Sequence, residues 1–172
     1  NPTISNNKFH SINVGSGLAN GVAIALWRGG TVTNNTFSGN TGNSLISKYQ
    51  HWNDSAKPIL TNNNFHSNSV SYIVYLPNDT VAGVTATSNW WGTTSDPEVQ
   101  TLIYDWDADA SLATADYTPF LTAPDTTAPP SPPQNVAAQT GPTTIALTWD
   151  ANPESDIAGY KVHYDTDAAG YP

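Results

Sequence analysis

The chain has 172 residues and carries 5 Lys plus Arg against 14 Asp plus Glu, a net charge of -9. With 38% hydrophobic residues it is too apolar for a disordered polar tract, and it lacks the clustered Lys and Arg that nucleic acid requires, so no nucleic-acid partner is expected. Cys and Met are absent, which excludes a disulfide scaffold, a thiolate zinc site and a cysteine nucleophile, and no apolar run approaches the roughly 18 residues of a membrane span.

The charge is zoned. Residues 1–94 hold Lys8, Arg28, Lys48 and Lys57 against Asp54 and Asp79 and are net positive. Residues 95–130 hold seven acids and no base, and residues 131–172 hold five acids and Lys161. The zone boundaries coincide with Pro clusters, as in a modular chain. The chain opens Asn1-Pro2-Thr3, with neither an initiator Met nor a signal peptide, so an excised or mature segment is expected.

The first zone, 1–94, is built on a repeat. Ile4-Ser5-Asn6-Asn7-Lys8-Phe9 returns as Val32-Thr33-Asn34-Asn35-Thr36-Phe37 and as Leu60-Thr61-Asn62-Asn63-Asn64-Phe65, with a degenerate fourth copy in Ala86-Thr87-Ser88-Asn89-Trp90-Trp91. Asn is a poor helix former and the segments are rich in β-branched residues, so paired helices are excluded and a β-solenoid is expected. Each coil lays a short strand about 4.8 Å above the last. Equivalent Asn side chains then bond their neighbours at a turn, where left-handed backbone is tolerated, and equivalent Phe rings stack inside.

A second apolar segment completes each coil: Val22 to Trp27, Leu45 to Tyr49 and Val70 to Leu76. Alternation predicts Val22, Ile24 and Leu26 inside, with Trp27 outside. Keeping Lys48 in solvent places Leu45, Ser47 and Tyr49 inside, and the third strand reads Val70, Tyr72, Val74 and Leu76 inside.

The NNxF coils resemble the right-handed parallel β-helix repeat family, the broad group around pectate lyases and the carbohydrate-binding and sugar-hydrolysis β-helices. Asn89-Trp90-Trp91-Gly92, Asp96-Pro97-Glu98 and Tyr117-Thr118-Pro119-Phe120-Leu121 resemble the C-terminal end of many secreted bacterial members. The resemblance covers about residues 3–122 and implies an all-β fold. It does not imply one activity, because the family includes lyases, hydrolases and adhesins.

Residues 95–121 read as a cap over the last coil. Ser95-Asp96-Pro97-Glu98 has capping-box spacing and predicts a short helix over 96–105, with Trp90, Trp91, Trp106, Tyr117 and Phe120 closing the solenoid end. Residues 122–134 carry five prolines and read as an extended, semi-rigid linker. Residues 135–172 hold three strand-like runs, Asn135 to Gln139, Thr144 to Trp149 and Ile157 to Tyr164. Pro133, Trp149 and Gly159-Tyr160-Lys161-Val162 resemble the opening of a fibronectin type III domain, which implies an incomplete β-sandwich module within a longer source protein.

Candidate chemistry is sparse. Asp105-x-Asp107-x-Asp109, with Asp116 at the twelfth position, suits Ca²⁺, although Ala110 stands where a calcium loop wants Gly. The alternative is acidic turns around the cap. His10 and His66 follow the Phe in coils one and three, on one exterior stripe about 9–10 Å apart, too far for a shared metal. Glycoside hydrolysis wants paired carboxylates, and the coils offer only Asp54 and Asp79.

Trp27, Lys48 and Tyr75 fall on the outward face of successive second strands, beside Arg28 and the 50–58 loop with Trp52. Aromatic rings among polar groups form a sugar platform, the alternative being that the loop packs over them. The resulting expectation is a secreted bacterial surface protein, extracellular and non-catalytic, whose structural or adhesive β-helix binds polysaccharide or a cell-surface glycan and takes no cofactor unless Ca²⁺ occupies the cap. The alternatives are a polysaccharide lyase or glycoside hydrolase with catalytic coils partly outside these residues, and a scaffold that self-associates through the strand edge of its first coil.

Overall fold

The computed structural model describes residues 2–15, 21–50 and 55–164. Trp52, His51 and Asp54 lie outside the described residues, as does the end of the last module.

Each Asn-Asn pair makes a corner between two short strands. Before the corners run β1 (Thr3–Ser5), β4 (Thr31–Thr33), β7 (Ile59–Thr61) and β10 (Val84–Thr85); after them run β2 (Lys8–His10), β5 (Thr36–Ser38) and β8 (Asn64–His66). The second apolar segments form β3 (Val22–Leu26), β6 (Thr41–Lys48) and β9 (Ser69–Tyr75), and the cap adds β11 (Ile103–Tyr104) and β12 (Ala115–Asp116). These strands stack into three parallel sheets, ordered β1-β4-β7-β10-β12, β2-β5-β8 and β3-β6-β9-β11. The expectation of about three coils is extended: β10, a bridge from Asn64 to Trp90, and β11 supply a fourth rung.

The register puts like over like. Ile4, Val32 and Leu60 align, and so do Phe9, Phe37 and Phe65. The rings stack with centroids 4.5 Å apart for Phe9–Phe37, 5.0 Å for Phe37–Phe65 and 5.3 Å for Phe65–Trp91. Offset stacking in a dry interior adds to the area they bury.

The corners hold the coils together. The first residue of each pair takes the left-handed conformation, at Asn6, Asn34, Asn62 and Ser88. The second turns its amide inward. Asn63 Oδ1 accepts from Asn35 N and Asn35 Nδ2, both at 3.0 Å, and Asn63 Nδ2 donates to Val32 O at 2.8 Å and Asn89 Oδ1 at 2.9 Å. The chain of bonds runs from Asn7 through Asn35 and Asn63 to Asn89. A second ladder, missed in the repeat, starts at Ile12: its amide bonds Asn40 Oδ1 at 2.9 Å, and Asn40 N bonds Asn68 Oδ1 at 3.1 Å. Its signal was present, an Asn three places after Phe37 and Phe65; Ile12 in the first copy obscured it.

The second strands do not alternate strictly. Leu45 with Ile46, and Ile73 with Val74, are adjacent residues that both enter the core. Ser44 and Ser47 therefore share a side, their hydroxyls 2.9 Å apart, and Tyr72 and Tyr75 stack at 5.5 Å. Tyr72 thus lies outside the core that alternation assigned to it, and Ile73 takes its place.

The cap helix α1 (Asp96–Thr101) is shorter than expected, because Ile103 and Tyr104 pair with Val74 and Tyr75 as a strand. Ser95 makes no side-chain cap bond; Thr93 substitutes, its hydroxyl donating to the Glu98 carboxylate and accepting from Ser95 N at 3.1 Å. Val99, Ile103 and Trp91 are buried over the last coil, whereas Trp106 is exposed.

Beyond the cap, β13 (Gln134–Thr140) and β14 (Ile145–Asp150) form an antiparallel hairpin with an irregularity between Gln134 and Ala137. The third expected run, Ile157 to Tyr164, forms no strand, and Val136, Ile145 and Val162 are exposed. Trp149 packs edge-on against Tyr160 at 5.1 Å. Among the described residues this unit is a hairpin rather than a sandwich.

Asn63→Ala removes several buried bonds at once and leaves the Asn35 backbone amide without its partner. It is expected to cost about 3 kcal/mol or more, while Asn7→Ala at the exposed end of the ladder costs about 1 kcal/mol or less. Urea unfolding followed by circular dichroism checks the contrast; equal losses would remove the ladder from its central place.

Candidate functional site

The flank of the β3-β6-β9-β11 sheet carries a run of aromatic groups outside the core. Trp27 stacks on Tyr49 with centroids 4.9 Å apart, and Tyr72, Tyr75 and Tyr104 form a cluster with separations of 5.2 to 5.5 Å. The sheet explains the order. Strand β6 pairs with β3 and β9 at constant offsets, so aromatics just past or within successive strands come to lie along the helix axis.

Two of the expected platform residues are placed differently. Lys48 is fully buried, not outward: it pairs with Leu26, and its Nζ donates to Tyr49 O at 2.9 Å. A lysine stem can lie along apolar neighbours while its ammonium finds a carbonyl, which a reading based on charge alone overlooks. Tyr75 stays outside the core cluster but is only 6% exposed, covered by Tyr72 and Tyr104. Burial pushes its hydroxyl pKa up, helped by the neighbouring Tyr104, Tyr49 and Tyr72. Tyr49, placed inside by alternation, instead joins the flank against Trp27.

Trp27 is 55% exposed and Arg28 beside it is exposed. Together with Pro2, Ala25 and Leu26 they line an open cleft of about 500 Å³. Among the described residues Arg28 makes no ion pair; the two ion pairs are Lys57–Asp116 and His66–Glu154. Among the described residues the flank therefore offers the open indole face of Trp27, the exposed guanidinium of Arg28, and the half-buried Tyr49, Tyr72 and Tyr104.

The four carboxylates of the expected calcium loop do not converge. Asp105 is buried and holds the cap together: its Oδ2 accepts from Ala115 N at 2.8 Å and its Oδ1 from Asp107 N at 3.2 Å. Asp109 Oδ1 accepts from Ser111 N and Oγ at 3.0 and 2.8 Å, which holds its carboxyl below the usual range. Asp116 is paired with Lys57. Among the described residues no three His, Asp or Glu side chains are grouped to hold a metal ion.

Asp96, Asp105, Asp107 and Asp116 nevertheless border one cleft of about 700 Å³ with Tyr117. Tyr117 donates to Asp96 Oδ1 at 3.0 Å. Burial, that bond and the nearby Asp107 and Asp105 charges push its pKa up to about 12. Asp79, the coil carboxylate within the described residues, is buried and accepts from the amides of Val81, Ala82 and Gly83, so it is committed to a corner. At that corner Gly83 has φ +67, and a Cβ there would lie 2.1 Å from Thr114 O.

The stacked parallel rungs, the interior Phe row and the Asn corners define a β-solenoid. The family model described as "right handed beta helix region" matches residues 1–112, and the chain belongs to that family. No curated protein and no solved structure matches the chain.

Because the folded state holds the Tyr117 proton more tightly than the unfolded chain does, the cap should lose stability as pH rises from about 10 to about 12. Ultraviolet titration of tyrosinate should show Tyr75 and Tyr117 titrating late, and Tyr117 is the group that Asp96 controls. Asp96→Asn should bring that group down toward 10; no change in the variant would assign the shift to burial alone.

Proposed function

We propose that this chain is a non-catalytic β-helix module of a secreted, extracellular surface protein, binding polysaccharide along its aromatic flank. The observation that carries the reading is the exposed Trp27 face, stacked on Tyr49 and bordered by Arg28, which makes no ion pair among the described residues. A pyranose ring offers an apolar C–H face that an indole can cover, while its hydroxyls bond adjacent polar groups. Tyr72 and Tyr104 continue the surface along the axis, in the direction a linear glycan would run. A rigid solenoid suits this work because its rungs fix the spacing of the aromatic groups without ordering cost on binding.

The hydrolytic reading has less support. A glycoside hydrolase needs two carboxylates facing one bond, and the Asp79 carboxylate is already bonded to three backbone amides. The acidic cap and the hairpin are then accessory parts. Adhesion follows from the same surface, as attachment of a rigid module to a glycan-coated partner.

Affinity electrophoresis against neutral and acidic polysaccharides, run with and without Ca²⁺ and paired with a reducing-end and unsaturated-product assay, tests this. Binding without product is expected, weakened about tenfold by Trp27→Ala, equivalent to about 1.4 kcal/mol. Trp106→Ala, an exposed tryptophan on the cap, should leave binding unchanged. Product formation, or binding indifferent to Trp27, would sink the proposal.

A further inference from the structure

The outer face of the β2-β5-β8 sheet is covered, and the cover is the Pro-rich segment. In this sheet Phe9, Phe37 and Phe65 point into the core, so Lys8 with His10, Thr36 with Ser38, and Asn64 with His66 point out. Lys8 is exposed and His10 half-buried, yet Thr36, Ser38, Asn64 and His66 are all buried. The difference comes from residues 125–134, which cross the second and third coils.

The crossing is specific. Asn64 bonds Asp125 in both directions, Nδ2 to Asp125 O at 2.9 Å and Oδ1 from Asp125 N at 2.7 Å. One coil away, Asn34 Nδ2 donates to Thr127 Oγ1 at 2.8 Å and the Thr36 hydroxyl donates to Pro129 O. Ala128 is buried between these points. The chain then turns through the hairpin and returns, and Glu154 comes to rest against the same sheet.

Glu154 and His66 form the buried carboxylate–imidazole contact of this interface. Their side chains are 1% and 6% exposed, with His66 Nε2 3.5 Å from Glu154 Oε1. Glu154 Oε1 also accepts from Ser131 N at 2.7 Å and Oε2 from Ser131 Oγ at 3.1 Å, while Asn152 Nδ2 donates to Ser131 O at 2.7 Å. One carboxylate thus joins the later part of the strap, the segment after the hairpin, and the third coil. His66 Nε2 makes no hydrogen bond of its own, so its remaining partner is that carboxylate.

We propose that residues 125–134 are a releasable strap, locked against the solenoid by Glu154 seated on His66, and that unlocking frees the hairpin and uncovers the outer face of the β2-β5-β8 sheet. The strap is held by hydrogen bonds to side chains rather than by a shared apolar core, so it opens without unstacking the coils. The lock is all-or-none in character, since a buried charge that loses its partners is costly to keep buried. Burial pushes the Glu154 carboxyl up, but His66 and the Ser131 donors outweigh it and hold its pKa at about 2. A depressed carboxylate stabilises the locked form above its ordinary value of 4.5, and that contribution is lost as pH falls toward 2. The groups around it are His66 on β8, the neutral donors Ser131 and Asn152, and Glu98 on α1, which lines the same 250 Å³ cleft as His66.

Hydrogen exchange on the full chain at pH 7 tests the lock. The Asp125 amide, bonded to Asn64 and far along the chain from Glu154, reports on the strap; the amides of β4 to β9 report on the coils. In Glu154→Gln, which keeps the shape and removes the charge, Asp125 should exchange about tenfold to a hundredfold faster with coil amides unchanged. Ser131→Ala should act in the same direction and more weakly. Small-angle scattering should show the wild type enlarging between pH 4.5 and pH 2, and Glu154→Gln already enlarged at pH 7. Unchanged Asp125 exchange in Glu154→Gln would overturn the lock. Coil and strap amides accelerating together would overturn the strap as a separately releasing unit.

Discussion

The buried asparagine at each corner is the constraint on which the rest depends. A solenoid corner must turn the chain sharply while its amides and carbonyls stay out of water, and an unpaired buried amide costs free energy comparable to a lost hydrogen bond. Asn answers with one group of each kind: its Oδ1 takes the amide of the coil on one side and its Nδ2 the carbonyl lying across the corner. That geometry sets the rung spacing, and the Phe row can stack only at that spacing. The second ladder through Asn40 and Asn68 fixes the other end of the short strands in the same way.

Once the rungs are fixed, the flanks inherit their order. The long strands of the third sheet need not alternate, because paired core residues at Leu45-Ile46 and Ile73-Val74 turn the chain within the strand. The outside therefore receives residues three apart, and tyrosines gather there that strict alternation would have divided between core and solvent. The outcome is a rigid aromatic flank whose most open member is Trp27. Its charge is set as much by what is hidden as by what is shown: Lys48 is withdrawn into the wall, and Arg28 remains outside it.

The acidic residues have a structural distribution as well. Asp79, Asp105 and Asp109 accept backbone amides at turns, where a short carboxylate substitutes for a missing strand partner. Glu154 does so between segments rather than within one, joining the strap to the third coil. The strap and the solenoid are thus coupled through polar groups, a weaker and more condition-sensitive union than the Phe-lined core.

The repeat, read alone, determined the fold class, the corner asparagines and the interior Phe row. Those features are legible because each follows from local periodicity and from what an isolated residue type can satisfy. The direction of Lys48, the cover over Tyr75, the end of α1 at Thr101 and the docking of residues 125–134 were decided only in the tertiary structure. Each depends on a partner tens of residues away: Leu26 for Lys48, Tyr104 for Tyr75, Val74 for Ile103, and Asn64 for Asp125. A charged or proline-rich segment reads as solvent-exposed when its own composition is the only guide, and becomes buried when a distant group supplies the bond that water would otherwise make.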